Sequence, residues 1–174
     1  MIYQWTPNDP SRQHRRPREI VLAMRSPASL KKQASASSTT MAFERGDRVE
    51  ILSEEEGFVG SYYAANIITW LMKKEYIVQY KTLLKDDGSG PLREVVSADQ
   101  IQPVPPEIPV TGFSFGDVVD AYDKDGWWVG RISGRMGSNY FVYFANTKEE
   151  IAYPLCLLRI HQDWVAGAWL SSKK

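Results

Sequence analysis

Cysteine and histidine are nearly absent from this sequence of 174 residues, which contains one Cys and two His. A single cysteine, Cys156, excludes an internal disulfide framework and makes a reducing compartment the default expectation. His14 and His161 lie far apart, and the chain has no Cys-x-x-Cys, no His-x-x-x-His and no glycine-rich phosphate loop. The sequence therefore predicts no metal site and no cofactor, and it argues against an enzyme.

Two residue types that enzymes often use are predicted to be structural here. Cys156 lies in the apolar run 155–158, read as a strand, where a buried thiol is more common than a nucleophile. His161 is predicted to be a surface or capping residue rather than a base. Residues 123–126 are similar to the start of a calcium loop, but the third ligand and the later Glu are missing.

Long apolar runs are missing as well. The longest, residues 67–72, has the length of a strand and falls far short of the ~20 residues that a membrane helix needs. Residues 20–24 are too few to form the apolar segment of a secretory signal. We therefore expect no membrane partner.

The formal net charge is zero, because 21 Lys and Arg residues balance 21 Asp and Glu residues, but the two signs are unevenly distributed. Residues 1–42 hold seven basic and two acidic residues, a net +5, and residues 43–174 hold 14 basic and 19 acidic residues, a net −5. An acidic body favours a cationic partner over a nucleic-acid duplex. A solvated acidic surface explains the same charge equally well.

Residues 1–42 are predicted to form a disordered basic arm. They contain four prolines, a Ser/Thr run at residues 35–40 and few large apolar side chains, so that burial cannot offset the entropy of ordering them. The basic cluster at residues 12–18 fits a nuclear import signal, a nucleic-acid contact, a transit peptide or simply a solvated tail. Met41 is an alternative natural start, in which case the arm is not part of the protein.

From residue 43 onward, short segments alternate apolar and polar residues, which indicates half-buried β-strands. The pattern then occurs a second time in the same order, and the length differences fall in loops. Such a repeat indicates two copies of one unit. The matched segments are 43–50 with 113–120, 62–67 with 127–132, 76–80 with 140–144, and 98–101 with 155–158.

The repeat predicts an all-β protein made of two tandem, small, strongly bent β-barrels. The first barrel is predicted to span residues 43–103 and the second residues 113–170, with a proline-rich linker at residues 104–112. A short helix or turn is expected at the C-terminus. Units of about 60 residues are marginally stable alone, so the two are expected to pack together.

Five segments, in this order, resemble the plant Agenet family, a branch of the Tudor-like group. They are Gly46 to Glu50, Glu55 to Phe58, Tyr80 to Val96, Gly126 to Gly130, and Leu158 to Trp164 followed by Gly167 and Trp169. The resemblance covers about residues 43–169, and its specificity lies in the doubled order rather than in any one segment.

The resemblance implies a function as well as a fold. It implies a chromatin reader that binds a methylated lysine of a histone tail in the nucleus. We expect a monomer, although the sequence itself leaves the oligomeric state open. It leaves open which lysine and which methylation state are read, and whether both barrels bind. An adaptor for RNA or for another protein, without a methyl-lysine cage, is the alternative interpretation.

The site that the resemblance implies is an aromatic cage at one rim of each barrel. A methylated ammonium is cationic but a poor hydrogen-bond donor, and aromatic faces attract it with about 0.5–2 kcal/mol per contact. In the first barrel, strand position assigns Tyr63 and Tyr80 to the cage, and Phe58 in the preceding long loop supplies a third wall.

In the second barrel the corresponding residues are Trp128 and Phe144, with Tyr122 at the end of the first strand. Many Tudor cages carry an aromatic residue seven positions after the Gly of Gly-Asp, where this chain has Ser53 and Asp123. Asp123 is expected to accept a hydrogen bond from the remaining N–H of mono- or dimethyl-lysine, which trimethyl-lysine lacks. This favours the lower methylation states.

Acidic residues around the cages are predicted to contact the same tail. They are Glu54, Glu55, Glu56 and Asp125, and a solvated loop is an equally good reading of the three glutamates. The cage rings have an alternative reading too, as ordinary core residues. Tyr62 and Trp127 point the other way by parity and are expected to pack between the units or onto Trp164 and Trp169.

Overall fold

The computed structural model describes residues 43–72 and 74–173, and in these residues it contains β-strands and two short 3-10 turns but no α-helix. The predicted arm at residues 1–42 lies outside the described residues. Within the described part of the chain, no helix is long and apolar enough to span a membrane. The strands are β1 (Arg48–Leu52), β2 (Ser61–Leu71), β3 (Glu75–Leu84), β4 (Pro91–Ser97), β5 (Ile101–Pro103), β6 (Val118–Asp123), β7 (Gly126–Met136), β8 (Asn139–Phe144), β9 (Glu149–Pro154), β10 (Leu158–Ile160), β11 (Gln162–Val165) and β12 (Ala168–Ser171).

The first barrel is an antiparallel sheet in the order β5-β1-β2-β3-β4. Its long strand β2 changes register against β3 between Ile67 and Thr69, and such a bulge bends the strand so that one sheet can wrap around its own core. The inward residues are those that the period-two pattern assigns to one face. They include Val49, Ile51, Tyr63, Ala65, Ile67, Tyr76, Val78 and Tyr80.

The second barrel repeats this arrangement in the order β10-β6-β7-β8-β9. Its long strand β7 has a register shift at the corresponding place, between Ile132 and Gly134. In each barrel a 3-10 turn, Ala98–Gln100 or Leu155–Leu157, leads into the last strand. The predicted all-β fold of two tandem, strongly bent barrels is thereby confirmed.

The repeated Gly-Asp motif is a turn that precedes the first strand of each barrel. Gly46 and Gly116 have φ of 95° and 87°, a conformation that glycine adopts at no steric cost. The Asp47 carboxylate accepts a hydrogen bond from the Glu44 N–H at 2.8 Å, and the Asp117 carboxylate accepts one from Ser114 at 2.9 Å. The motif is therefore structural in both copies.

The two barrels share one sheet, because β2 pairs directly with β7. The pairing joins Ser61 to Trp128 and Tyr62 to Trp127. One more backbone hydrogen bond lies next to these two pairs, from the Val129 N–H of β7 to the Gly60 carbonyl at 3.2 Å. The barrels are thus joined by backbone hydrogen bonds as well as by side chains.

Glycine is required where β7 begins. A Cβ atom on Gly126 would lie 2.7 Å from Cε1 of Tyr63 and 3.1 Å from the Tyr62 carbonyl oxygen, so this position brings the second barrel against the first without a side chain. Loop contacts add to the joint, as when the Asn146 side chain donates to the Val59 carbonyl at 2.8 Å.

The C-terminal residues form a hairpin rather than a helix. β11 and β12 pair through Trp164 and Trp169, and the turn between the strands places Ala166 and Gly167 at positive φ. The expected helix is therefore absent, and the expected turn is the tip of this hairpin. Cys156 also differs from expectation, because it lies exposed in a 3-10 turn rather than buried in a strand.

Candidate functional site

Aromatic rings from both barrels meet beside the joint. The Phe58 and Trp128 rings lie 5.9 Å apart, and those of Tyr63 and Tyr80 lie 6.4 Å apart in an edge-to-face arrangement. Phe58 of the first predicted cage therefore contacts Trp128 of the second, and Phe58 also packs on the core cluster that contains Tyr63 and Tyr80. We call this group, Phe58, Tyr63, Tyr80 and Trp128, the seam.

The four rings differ in exposure. Tyr63 and Tyr80 are only 3% and 6% exposed and belong to the core of the first barrel, whereas Phe58 and Trp128 are half-buried. The Trp128 indole N–H donates to the Asp123 carbonyl at 2.8 Å, which fixes the ring. Phe58 and Trp128 thus form the outer edge of the seam, and the two tyrosines form its floor.

Acidic groups surround the seam. The Tyr80 hydroxyl donates to Oε2 of Glu94 at 2.7 Å. Burial, and then the neighbouring charge of Glu94, raises the pKa of Glu55 above its ordinary value. Among the described residues, no Lys or Arg forms an ion pair with Glu55 or Glu94. The Lys124 ammonium lies 5.6 Å from the centroid of the Trp128 ring, so a cation entering the seam would meet these carboxylates beside that ammonium.

The floor of the seam contains two polar atoms without hydrogen-bond partners among the described residues, the Tyr63 hydroxyl and Oε1 of Glu94. Burial raises the pKa of Tyr63, and the carboxylates of Asp125 and Glu55 raise it further. The Ser61 hydroxyl opposes part of that shift, yet it donates to the Phe58 carbonyl at 2.6 Å. Unpartnered buried polar atoms are uncommon in native proteins, and here both are in the seam.

Of the other residues predicted for the second cage, Asp123 and Phe144 lie near Trp128, which donates to Asp123 and packs on the core cluster that contains Phe144. Tyr122 lies on the other face of β6, where its ring contacts Trp127 at 5.1 Å. Phe144 is 7% exposed and packs on Tyr153 at 6.2 Å. Asp123 already accepts a hydrogen bond from the Tyr153 hydroxyl at 3.0 Å. The structure thus joins Phe58 of the first predicted cage to Trp128 of the second, and a cage in each barrel stays a prediction.

The predicted acidic contacts divide in the same way. Glu54 and Glu56 are exposed, and Glu55 and Asp125 are half-buried beside the seam. Sequence reasoning missed Glu94, which lies on β4 and reaches the seam only because β3 and β4 pair at Val78 and Glu94. Its position between polar Arg93 and apolar Val95 offered no signal of its own.

The opposite face of the joint contains a buried ionic network. Arg159 donates to both carboxylate oxygens of Glu50, at 2.7 and 2.9 Å, and to Asp120 at 2.9 Å. His161 Nδ1 lies 2.6 Å from the other oxygen of Asp120. His161 is 8% exposed, so the expected surface or capping role is wrong.

Tyr62 and Trp127 lie on this same face. The Arg159 guanidinium lies 4.2 Å from the centroid of the Trp127 ring, and the Tyr62 ring lies 6.4 Å from that of His161. The parity argument for these two residues is confirmed, because they pack between the barrels.

Comparison with known proteins agrees with this architecture. The family model described as "Agenet domain" matches residues 46–106. The chain is 41% identical over 135 residues to the Arabidopsis thaliana protein "AGENET DOMAIN (AGD)-CONTAINING P1". The matched region covers 76% of this chain and 26% of that relative. It is 38% identical over 138 residues to "DUF724 domain-containing protein 3" of the same plant, over 75% of this chain and 20% of that protein.

Two solved structures are similar over most of their length. AGDP1 AGD34 of Arabidopsis thaliana has a TM-score of 0.70 at 36% identity, covering 74% of this chain and 88% of that one. The tandem Agenet domain 3-4 of ADCP1 has a TM-score of 0.67 at 32% identity, covering 74% and 86%. The chain spans about a quarter or less of the curated relatives named above.

The fold and the joint define a tandem pair of Tudor-like barrels. The chain belongs to the Agenet domain family.

Proposed function

We propose that the chain is a chromatin reader module whose seam binds a methylated lysine of a histone tail. The observation that carries the proposal is the contact of Phe58 with Trp128 across the joint, beside the Tyr63 and Tyr80 pair and the carboxylates of Glu55 and Glu94. Such a reader works in the nucleus, and a basic histone tail suits the acidic body of the chain.

The chemistry of the seam matches a methylated ammonium. The faces of Phe58 and Trp128 attract the cation through their quadrupoles. A cation held under these rings is shielded from water, so its attraction to the nearby carboxylates is screened less. Because these two rings contact each other, binding between them requires Phe58 to move. Phe58 lies in the loop between β1 and β2 and is held there by a backbone hydrogen bond from its N–H to the Glu55 carbonyl at 2.9 Å.

The floor of the seam favours mono- and dimethyl-lysine. Each of these keeps an N–H donor, and Oε1 of Glu94 has no partner among the described residues. A hydrogen bond between the two is charge-assisted and stronger than a neutral one. Trimethyl-lysine has no N–H and would leave this oxygen unpaired.

Calorimetric titration of the full chain with unmodified, mono-, di- and trimethylated histone-tail peptides tests the proposal. We expect selective binding of a mono- or dimethylated peptide, and Phe58→Ala should weaken it about ten-fold. Glu94→Gln keeps an acceptor for Tyr80 but lowers the charge, and it should reduce the preference for dimethyl over trimethyl peptide. Glu149→Gln, an exposed change on β9, is the matched control.

Circular dichroism of each variant separates a lost site from a lost fold. If the folded chain binds no methylated peptide, the rings are core residues and the proposal is wrong. Binding of RNA instead, lost on deletion of residues 1–42, would support the adaptor alternative.

A further inference from the structure

A second recess lies on the face of β2 opposite the seam. It is a cavity of about 210 Å³ between the first barrel and the C-terminal hairpin. Tyr62, Asp99, Asp163 and Trp164 supply its aromatic and acidic walls. Pockets for drug-sized ligands enclose about 300–1,000 Å³, so this cavity has the size for a single side chain.

The inner wall of the cavity is Tyr62, which is 9% exposed. Its hydroxyl makes no hydrogen bond to another described residue, although a buried phenol normally has a partner. Burial, followed by the charges of Asp120 and Asp163, raises the pKa of Tyr62 to about 12, so the hydroxyl stays neutral and can accept a hydrogen bond. A hydroxyl that lines the cavity and has no partner among the described residues is available to a polar ligand.

The outer walls carry negative charge and an aromatic face. Asp99 is exposed, and the Asp163 side chain is 60% exposed and contacts only His161, at 3.2 Å. Within the described part of the chain, neither carboxylate pairs with a Lys or an Arg. The Trp164 ring is backed by Trp169 at 5.2 Å, which holds it against the cavity.

We propose that this cavity binds an arginine side chain presented by a peptide partner. A guanidinium is planar, stacks on an indole and directs several N–H donors at carboxylates. Trp164 supplies the stacking face, and Asp99 and Asp163 the carboxylates. Lysine presents a compact, strongly hydrated ammonium that uses the flat Trp164 face less well. The site lies on the other side of β2 and does not depend on the proposed function of the seam.

Nuclear magnetic resonance titration of the full chain tests the proposal with a defined probe. We expect N-acetyl-arginine methylamide to shift the Trp164 indole signal saturably, and the matching lysine derivative to bind more weakly. Asp99→Asn, an exposed change, should weaken arginine binding about five-fold, and Trp164→Leu should abolish it.

Asp86→Asn is the matched control, because Asp86 is an exposed aspartate in the turn at the other end of β4 and should leave the titration unchanged. Phe58→Ala should also leave it unchanged, which separates this site from the seam. The proposal is overturned if the arginine probe causes no saturable shift, if the lysine probe binds equally well, or if Asp99→Asn and Asp86→Asn behave alike.

Discussion

Two neighbouring tyrosines of the first barrel show how a hydroxyl can have opposite effects on stability. The Tyr80 hydroxyl donates to Glu94, whereas the Tyr63 hydroxyl is buried without a partner among the described residues. Tyr63→Phe should therefore leave the free energy of unfolding unchanged or raise it by about 1 kcal/mol, because an unpaired buried group is removed. Urea denaturation measures the difference.

Tyr80→Phe is the matched control, since it removes the same atom from the same floor. It breaks a hydrogen bond to a carboxylate and should lower the free energy of unfolding by about 1.5–3 kcal/mol. Equal losses for the two variants would show that the Tyr63 hydroxyl is satisfied in solution, and the seam would then have no unused polar group except Glu94.

His161 should make the stability of the joint depend on pH. Burial disfavours its charged form, but hydrogen bonding and charge attraction from Asp120, with Asp163, outweigh burial and raise the pKa of His161 above its ordinary value. A raised folded-state pKa stabilises the protein fully below the unfolded-state value of about 6.5, and this stabilisation is lost as pH rises through the folded-state value. Neighbouring Arg159 and Tyr62 keep their charge states throughout that range.

The test compares urea midpoints between about pH 5.5 and pH 8.5. The parent chain should lose stability as the pH rises, while His161→Gln, which keeps a donor but does not titrate, should show a flatter profile. Parallel profiles for the two proteins would rule out His161 as the titrating group.

At the scale of an element, the turn between β6 and β7 has a strained backbone that lowers stability and a carboxylate that is expected to help bind the ligand. Lys124 and Asp125 occupy its two central positions with φ of 47° and 65°, as a two-residue type I′ hairpin demands. Neither residue is glycine, although left-handed backbone costs other residues about 1–2 kcal/mol. The same turn places the Asp125 carboxylate near Tyr63, whose pKa it raises after the larger effect of burial.

Replacing either residue by glycine separates the two effects. Lys124→Gly should raise the free energy of unfolding by up to about 1 kcal/mol, and because it removes the ammonium that lies 5.6 Å from the Trp128 ring centroid, it should not weaken peptide binding. Asp125→Gly relaxes the same turn but removes the carboxylate, so it should stabilise the fold while weakening a methylated peptide about two- to five-fold. Thermal denaturation and calorimetry report the two quantities, and a weakened ligand with both variants would attribute the effect to the turn alone.

The whole molecule depends on Arg159, which connects residues far apart in the sequence. Its partners Glu50 and Asp120 have side chains only 3% exposed, so removing the guanidinium leaves these buried carboxylates with only Gln102 and His161 as partners. Arg159→Met should lower the free energy of unfolding by about 3–5 kcal/mol. Chemical denaturation of this variant should also separate into two transitions, one for each barrel.

Arg93→Met is the control for Arg159, because Arg93 is exposed and bonds only to Gln79, at 2.8 Å. It should change stability by no more than about 0.5 kcal/mol. A loss in Arg159→Met as small as that of the control would mean that the ionic network does not hold the barrels together.

Much of the fold could be predicted from the sequence, because apolar residues on the buried face of a barrel strand alternate with polar residues on its exposed face. The same alternation correctly separated Tyr62 from Tyr63. It could not show that β2 pairs with β7, since periodicity assigns a face but not a partner. For that reason Phe58 and Trp128 were expected in two separate cages although their rings lie 5.9 Å apart.

Residues with a single distant partner were the hardest to predict. His161 looks like a surface residue beside Gln162 and Asp163, and only its contact with Asp120 at 2.6 Å explains its burial. Cys156 looks buried among leucines, but a 3-10 turn points it outward. In both cases tertiary contacts and a local turn override the pattern of neighbouring residues.

The short pairing between β2 and β7 also allows two molecules to exchange halves. The connection between the barrels, residues 104–117, can extend to about 50 Å at most, and the pairing at Ser61 and Tyr62 is the same whether β7 comes from one molecule or another. Domain swapping is a general route to dimers, and a short pairing beside a long connection is the geometry that such an exchange requires. Each seam of that dimer would combine Phe58 of one molecule with Trp128 of the other, and the pair would present two complete sites at a fixed separation.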